Sequence, residues 1–261
     1  MNRNILVTGG TGTIGRVVVA RLRETGHDVR VASRGAPPAE APPGVAWATV
    51  DYRSGAGLDA ALDGVDAVVH CARSWRGEVD RALIAAARRA GTPHVVYISI
   101  VGVDQLPLSY YRTKLAAEAE LARTDLGWSV LRTTQFHELI AAGLRGLARL
   151  PELAVPAGTS FQPIAAAEAG ARLAELAAGP PAGRVPDMGG PQVRDVRDLA
   201  RAYLRASGRR RPVVPVRLPG AAAAGYRRGW HLTPDRAVGR RTFEEFLAGV
   251  PAAGRRSEGA R

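Results

Sequence analysis

Tyr110 and Lys114 stand four residues apart in the run Ser109-Tyr110-Tyr111-Arg112-Thr113-Lys114, a spacing that puts both on one face of a helix. An ammonium beside a phenol favours the phenolate and draws a tyrosine down from its ordinary pKa of about 10, toward proton transfer near neutral pH. The pair is conspicuous because, among 36 basic residues, Lys114 is the only lysine. Tyr111, three residues before Lys114, is the weaker rival. Upstream, Ser99 closes a β-type run, where its hydroxyl can hydrogen-bond a substrate carbonyl or cap local backbone. Ser109 reads as the helix N-cap.

A second group is built for phosphate. The apolar run Asn4 to Thr8 enters Thr8-Gly9-Gly10-Thr11-Gly12-Thr13-Ile14-Gly15 and then an amphipathic helix. Glycines three apart at Gly9, Gly12 and Gly15 permit a tight turn, close approach of backbone N–H groups to a pyrophosphate, and close packing of helix on sheet. Gly9, Thr11, Gly12, Thr13, Ile14 and Gly15 are therefore the expected dinucleotide cradle. The second β-type run ends in Ser33-Arg34, without the carboxylate that would accept from an adenosine ribose. A guanidinium and a hydroxyl suit a 2′-phosphate instead, so NADP(H) is the expected cofactor. Asp51, with Tyr52 packing beside it, is placed to bond the adenine, and the backbone at Cys71, Ala72 and Arg73 to border the adenosine. Cys71 reads as a small buried hydrophobe and not as a nucleophile.

These groups need elements to carry them. Short β-branched runs alternate with helix-period segments through the first half: strands at 4–8, 29–33, 46–50, 67–70, 94–99 and 129–132, and helices at 14–25, 57–62, 77–90 and 110–124. That alternation predicts an α/β fold, a Rossmann-type doubly wound parallel sheet with a small C-terminal substrate-binding portion. The expected division is a nucleotide-binding core over 1–135 and a substrate-binding portion over 136–251, of which 158–190 packs back on the sheet. A flexible tail is expected over 252–261. Helices at 165–178, 195–207 and 242–247 and a short strand near 184–188 complete the reading.

Composition excludes several classes. Hydrophobic residues make up 46% and charged ones 23% of the 261-residue chain, ordinary globular usage, with no uninterrupted apolar run of membrane-spanning length. One cysteine forms no internal disulfide, and five scattered histidines give no metal-ligand spacing. The N-terminal run lacks a signal-peptide pattern, which makes the cytoplasm the expected compartment. Of the net charge of +12, the stretch from Pro191 onward carries +10, from 16 arginines against 6 acids. That excess fits a solvated face, an acidic partner or a subunit contact; no aromatic interleaving or DNA-reading motif favours nucleic acid.

Taken together, Thr8 to Gly15, the Arg34 ending, Asp51, and Ser99 with Tyr110 and Lys114 resemble the short-chain dehydrogenase/reductase superfamily, in its atypical, NmrA-like branch. The resemblance spans essentially the whole chain. It implies Tyr110 as general acid/base, Lys114 as a ribose ligand that lowers the tyrosine pKa, and Ser99 as the group polarising a carbonyl. It also places Thr133 in the turn past the nicotinamide. Ser99 precedes Tyr110 by 11 positions, slightly closer than in typical reductases of the superfamily. The implied activity is NADPH-dependent reduction of a carbonyl, imine or quinone of a small molecule, with Gln135, Phe136, His137 and Trp230 as pocket candidates. A catalytically silent NADP(H) sensor, its arginine-rich C-terminal third facing nucleic acid or a regulatory partner, is the alternative. A homodimer is the generic expectation for the fold, and no membrane partner is implied.

Overall fold

A computed structural model describes residues 2–73 and 75–250; the expected tail over 252–261 lies outside the described residues. In chain order the first elements are β1 (Asn4–Thr8), α1 (Thr13–Glu24), β2 (Asp28–Ser33), β3 (Ala46–Thr49), α2 (Leu58–Leu62), β4 (Ala67–His70), α3 (Glu78–Arg89), β5 (His94–Ile100), α4 (Ser109–Leu121) and β6 (Gly127–Thr133). There follow α5 (His137–Leu147), β7 (Leu153–Pro156), β8 (Ser160–Phe161), α6 (Ala166–Ala178), β9 (Gly183–Arg184), β10 (Arg194–Asp195), α7 (Val196–Ala206), β11 (Val213–Val216), α8 (Ala221–Arg227) and α9 (Phe243–Ala248). They form two compact units: residues up to Thr133 with Ala166–Met188, and Thr134–Ala165 with the chain from Gly189.

The first unit is an α/β sandwich around a seven-stranded sheet of order β3-β2-β1-β4-β5-β6-β9, and every neighbouring pair is parallel. Parallel neighbours need crossover connections, which α1, α2, α3 and α4 supply, and the order reverses between β1 and β4. In such sheets ligands bind at the carboxyl ends of the strands beside that switch point, where Thr8, Gly9, His70 and Cys71 lie. Leu6, Val68, Val95 and Tyr97 from the strands pack with Leu83, Ile84, Ala87, Ala117 and Leu121 from α3 and α4. Each fully buried aliphatic side chain contributes about 1.5–3 kcal/mol, which fixes both helices on the sheet. Helices α1 and α6 pack on each other, and α6 lies against β4, β5 and β6.

The second unit pairs β7 with β11 in parallel and β8 with β10 antiparallel. Its core gathers Leu144, Leu153, Val155, Leu199, Leu204, Phe243 and Phe246. Thr242 and Glu245 close a capping box on α9.

Three local expectations are corrected. Ser109 is the first residue of α4 and caps nothing; Leu108 occupies the N-cap in extended backbone, without a side-chain cap. The strand expected near 184–188 shrinks to Gly183–Arg184; beyond it the chain keeps hydrogen bonds from Val185 N–H to the Val130 carbonyl at 3.0 Å and from Met188 N–H to the Arg132 carbonyl at 2.9 Å, with an isolated bridge from Met188 to Thr133. The β7–β11 pair was not foreseen: both members are four residues long, and β11 carries Pro215 at a sheet edge.

Candidate cofactor and catalytic site

The loop from β1 to α1 is shaped by steric exclusion. Gly9 adopts a left-handed φ of 65°, and a Cβ there would meet Ala72 N at 2.8 Å, so the loop runs directly over the chain leaving β4. Gly15, inside the first turn of α1, faces the same loop: a Cβ would sit 2.1 Å from the Gly9 carbonyl oxygen. Gly12 N–H donates to that oxygen at 2.9 Å, and α1 starts with Gly12 at its N-cap, no side-chain cap and no acid in its first turn. The helix N-terminus thus keeps free N–H donors and positive potential, the requirements of a pyrophosphate. Thr11 is exposed on the loop, Thr13 opens the helix, and Ile14 is buried beneath it.

Around this cradle, Arg34 is exposed at the end of β2 and makes no hydrogen bond or ion pair among the described residues. A free guanidinium there fits a phosphate. Ser33 Oγ accepts from Gly35 N–H at 3.3 Å. Asp51 accepts from Arg53 N–H at 2.9 Å and from the Ser54 hydroxyl at 2.8 Å, bonds that pull its carboxyl below the ordinary range. Its carboxylate therefore first shapes its own turn. Tyr52 is buried in the core beside it, and burial pushes its phenol up to about 12. Burial likewise pushes the Cys71 thiol up to about 12, which keeps it protonated and unreactive at neutral pH.

Helix α4 carries the candidate chemistry. Tyr110 sits in its first turn, its ring 5.0 Å from that of Trp75, which is 62% exposed and lies 5.6 Å from the Arg73 guanidinium. Lys114 turns inward and is 4% exposed; its Nζ donates to the Ile98 carbonyl at 3.0 Å and lies 4.2 Å from the Tyr97 ring centre. The two residues thus share a helix and meet different neighbours. The expectation that Lys114 lowers the Tyr110 pKa is corrected: burial pushes the phenol above its ordinary 10, Asp80 adds to the rise, and the charge opposing them is Arg73. Ser99 is 2% exposed, and its hydroxyl has no hydrogen-bond partner among the described residues. Thr133 is buried at the end of β6, where its carbonyl accepts from Val101 N–H.

Sequence reasoning missed the polar chain beneath these residues. Ala72 N–H donates to Thr8 Oγ1 at 3.2 Å, and Thr8 Oγ1 lies 2.6 Å from His70 Nδ1. The Asp80 carboxylate can only accept, so neutral His70 carries its proton on Nε2, facing Asp80 Oδ1 at 3.2 Å, and its Nδ1 accepts from the Thr8 hydroxyl. Tyr97 O–H donates to the same oxygen at 2.7 Å. A faint signal existed: in α3 the buried stripe runs Asp80, Leu83, Ile84, Ala87, so a carboxylate occupies a core position. Farther along α4, Glu118 clasps Arg132 of β6 through Oε2 at 2.6 Å, and Arg132 also reaches Asp104 at 2.9 Å. This ion triad pins the helix to the sheet.

The second unit holds the other candidates. Gln135 is buried with neither amide atom partnered among the described residues, and Phe136 and Trp230 are half-buried. His137 is fully buried, its ring 5.3 Å from Phe246 and its Nε2 2.9 Å from the Arg241 carbonyl. It is part of the unit's core and is withdrawn as a pocket residue. Among the described residues no cluster of histidine, cysteine and acids can hold a metal ion, and no helix is long and apolar enough to cross a membrane.

Comparison with known proteins agrees with this geometry. The chain is 35% identical over 134 residues to a (4-alkanoyl-5-oxo-2,5-dihydrofuran-3-yl)methyl phosphate reductase of Streptomyces griseus, covering 51% of this chain and 48% of that protein. It is 28% identical over 141 residues to quinone oxidoreductase 2 of Escherichia coli, covering 51% and 49%. The chain thus spans about half the length of these relatives. Among solved structures, the NADPH-dependent quinone oxidoreductase of Escherichia coli in complex with NADPH superposes with a TM-score of 0.80 at 22% identity, over 94% of this chain and 98% of that one, a likeness of fold. A family profile described as NAD(P)H-binding matches residues 9–149, from the first glycine of the cradle through α4 and β6. With its glycine cradle and switch point in place, the chain belongs to the NAD(P)H-binding family.

Proposed function

We propose that the protein is an NADPH-dependent reductase of a carbonyl, imine or quinone group in a small organic molecule, with Tyr110 as the proton donor. The observation that carries this reading is the Ser99 hydroxyl, buried near the end of β5 without a partner among the described residues, followed in the chain by Tyr110 in the first turn of α4. When bound, the nicotinamide supplies the hydride. Gly9, Gly12 and Gly15 with the N-terminus of α1 hold the pyrophosphate, and Arg34 with Ser33 holds a 2′-phosphate, which favours NADP(H) over NAD(H). Ser99 donates to the substrate heteroatom and orients it, and the raised pKa of Tyr110 keeps its proton in place at neutral pH until negative charge develops on that atom.

The test follows NADPH oxidation against ketones, aldehydes, imines and quinones, beside an equilibrium titration of NADPH. Tyr110→Phe should lower turnover by roughly a hundredfold or more while leaving NADPH affinity in place. Turnover that survives this change would remove Tyr110 as the donor.

One observation favours a second reading, an NADP(H)-dependent regulator with an acidic partner. A cleft of about 780 Å³ on the second unit is lined by Arg201, Arg205, Arg209, Arg210 and Arg211. Among the described residues, only Arg201 of these is paired with a carboxylate, that of Asp198. Sequence-selective DNA binding at physiological salt would support this reading, and binding that disappears with added salt would reduce it to general electrostatics.

A further inference from the structure

We propose that Asp80 is the buried counter-ion of Lys114, a positioning residue that keeps the ammonium charged and aimed at the end of β5; as a role in catalysis, this rests on the reductase reading of Lys114. The argument begins with cost. An ammonium withdrawn from water is expensive unless it is paired, and Lys114 is 4% exposed. Its one hydrogen bond among the described residues goes to a neutral carbonyl, that of Ile98. The Tyr97 ring face adds a cation–π contact but no charge.

Few groups facing Lys114 can answer its charge. From the end of β4 come Cys71, held as a thiol, and His70, which burial holds neutral by pulling its pKa below 6.5. From β5 comes Tyr97, whose phenol burial pushes far up. On α4 itself Tyr110 stays protonated, and Glu118 is engaged by Arg132 through both oxygens. From α3 comes Asp80, 1% exposed, with Oδ1 3.9 Å from Lys114 Nζ and Oδ2 without any partner among the described residues. Burial alone would raise Asp80; the hydrogen bonds from His70 and Tyr97 and the Lys114 charge outweigh it and hold the carboxyl below its ordinary range. Burial pulls Lys114 down while Asp80, first among the opposing charges, holds it up. Asp80 is also the acceptor at which Thr8 and His70 end, so one chain of contacts ties the residue before the glycine cradle to the counter-ion of the lysine.

Because Lys114 is the only lysine, protein made with isotopically labelled lysine gives one side-chain NMR signal, and its titration reads the ammonium with neither cofactor nor substrate present. Asp80→Asn should lower the Lys114 midpoint by at least about one pH unit, a tenfold loss of proton affinity, and Asp80→Glu should recover part of it. An unchanged midpoint in Asp80→Asn overturns the proposal. Should Asp80→Asn fail to fold alone, Asp80→Asn/Lys114→Met decides. A double variant that folds, or is destabilised by less than the sum of the single changes, supports the pair; a double variant that also fails to fold, or purely additive losses, overturns it. Turnover is scored separately: a shifted midpoint in a protein that reduces nothing in the substrate panel would remove the reductase reading and leave the counter-ion standing.

Discussion

The loop between β1 and α1 and the inner face of α4 are built by opposite means. The loop works with backbone: Gly9 and Gly15 are defined by the atoms that a Cβ would strike, and donor groups come from the start of a helix. Helix α4 works with side chains: Lys114 depends on Asp80 from α3 and on Tyr97 and Ile98 from β5. A backbone site is specified where it stands, by glycines a few positions apart. A side-chain site is specified by partners 16 to 34 residues away, and its charge state belongs to the group as a whole.

If that contrast holds, the largest effect of a single atom should fall on the loop. Gly15→Ala places a methyl group against the Gly9 carbonyl, with backbone on both sides and nowhere to yield. Overpacking of this kind costs about 1–3 kcal/mol, and with the loop displaced NADPH affinity should fall by roughly a hundredfold, read by equilibrium titration. Unchanged affinity would mean that the loop adapts like a side chain. Next in size is Arg34→Ala, which removes a side chain from the cradle without touching its backbone. Loss of a charge-assisted contact of about 1.5–3 kcal/mol should weaken NADPH binding by roughly ten- to a hundredfold and leave NADH binding nearly unaltered. Equal losses for both nucleotides would end the assignment of Arg34 to a 2′-phosphate.

The same contrast explains what the sequence disclosed. Strands 4–8 and 67–70 stand where their apolar runs place them, and the glycine cradle is legible because its determinants are local and steric. Lys114 was legible as a residue, through its spacing from Tyr110, but its surroundings were not. Spacing along a helix says which side chains share a face; it does not say that Lys114 turns toward Ile98 while Tyr110 packs on Trp75. Asp80 left a trace as a carboxylate in an apolar stripe, yet only the sheet brings Tyr97 and His70 to it. In the second unit, His137, a pocket candidate in sequence, is buried with its Nε2 against the carbonyl of Arg241.

The smallest expected effect separates the two kinds of site by pH. Backbone groups do not titrate, whereas the first unit buries two histidines in neutral form: His70, and His94, whose pKa burial lowers from 6.5 to about 4. In the unfolded chain such a histidine takes up its proton near pH 6.5, and in the folded chain His94 does so only near pH 4. Between those values the unfolded state therefore binds more protons, so stability is fully present above about pH 6.5 and is lost as pH falls toward about 4. His94 contributes a slope of about 1.4 kcal/mol per pH unit in that window. Urea midpoints of the wild type at pH 7, 6 and 5 should decline accordingly. His94→Gln, which retains an amide to meet the Ser129 hydroxyl now 2.9 Å from Nε2, should flatten the decline by the equivalent of one proton. Gly15→Ala should lower stability by the same amount at every pH and leave the slope alone, because the clash it creates involves no proton. A slope that changes with Gly15→Ala, or one that survives intact in His94→Gln, would show that loop and buried side chains are not the separate devices their geometry describes.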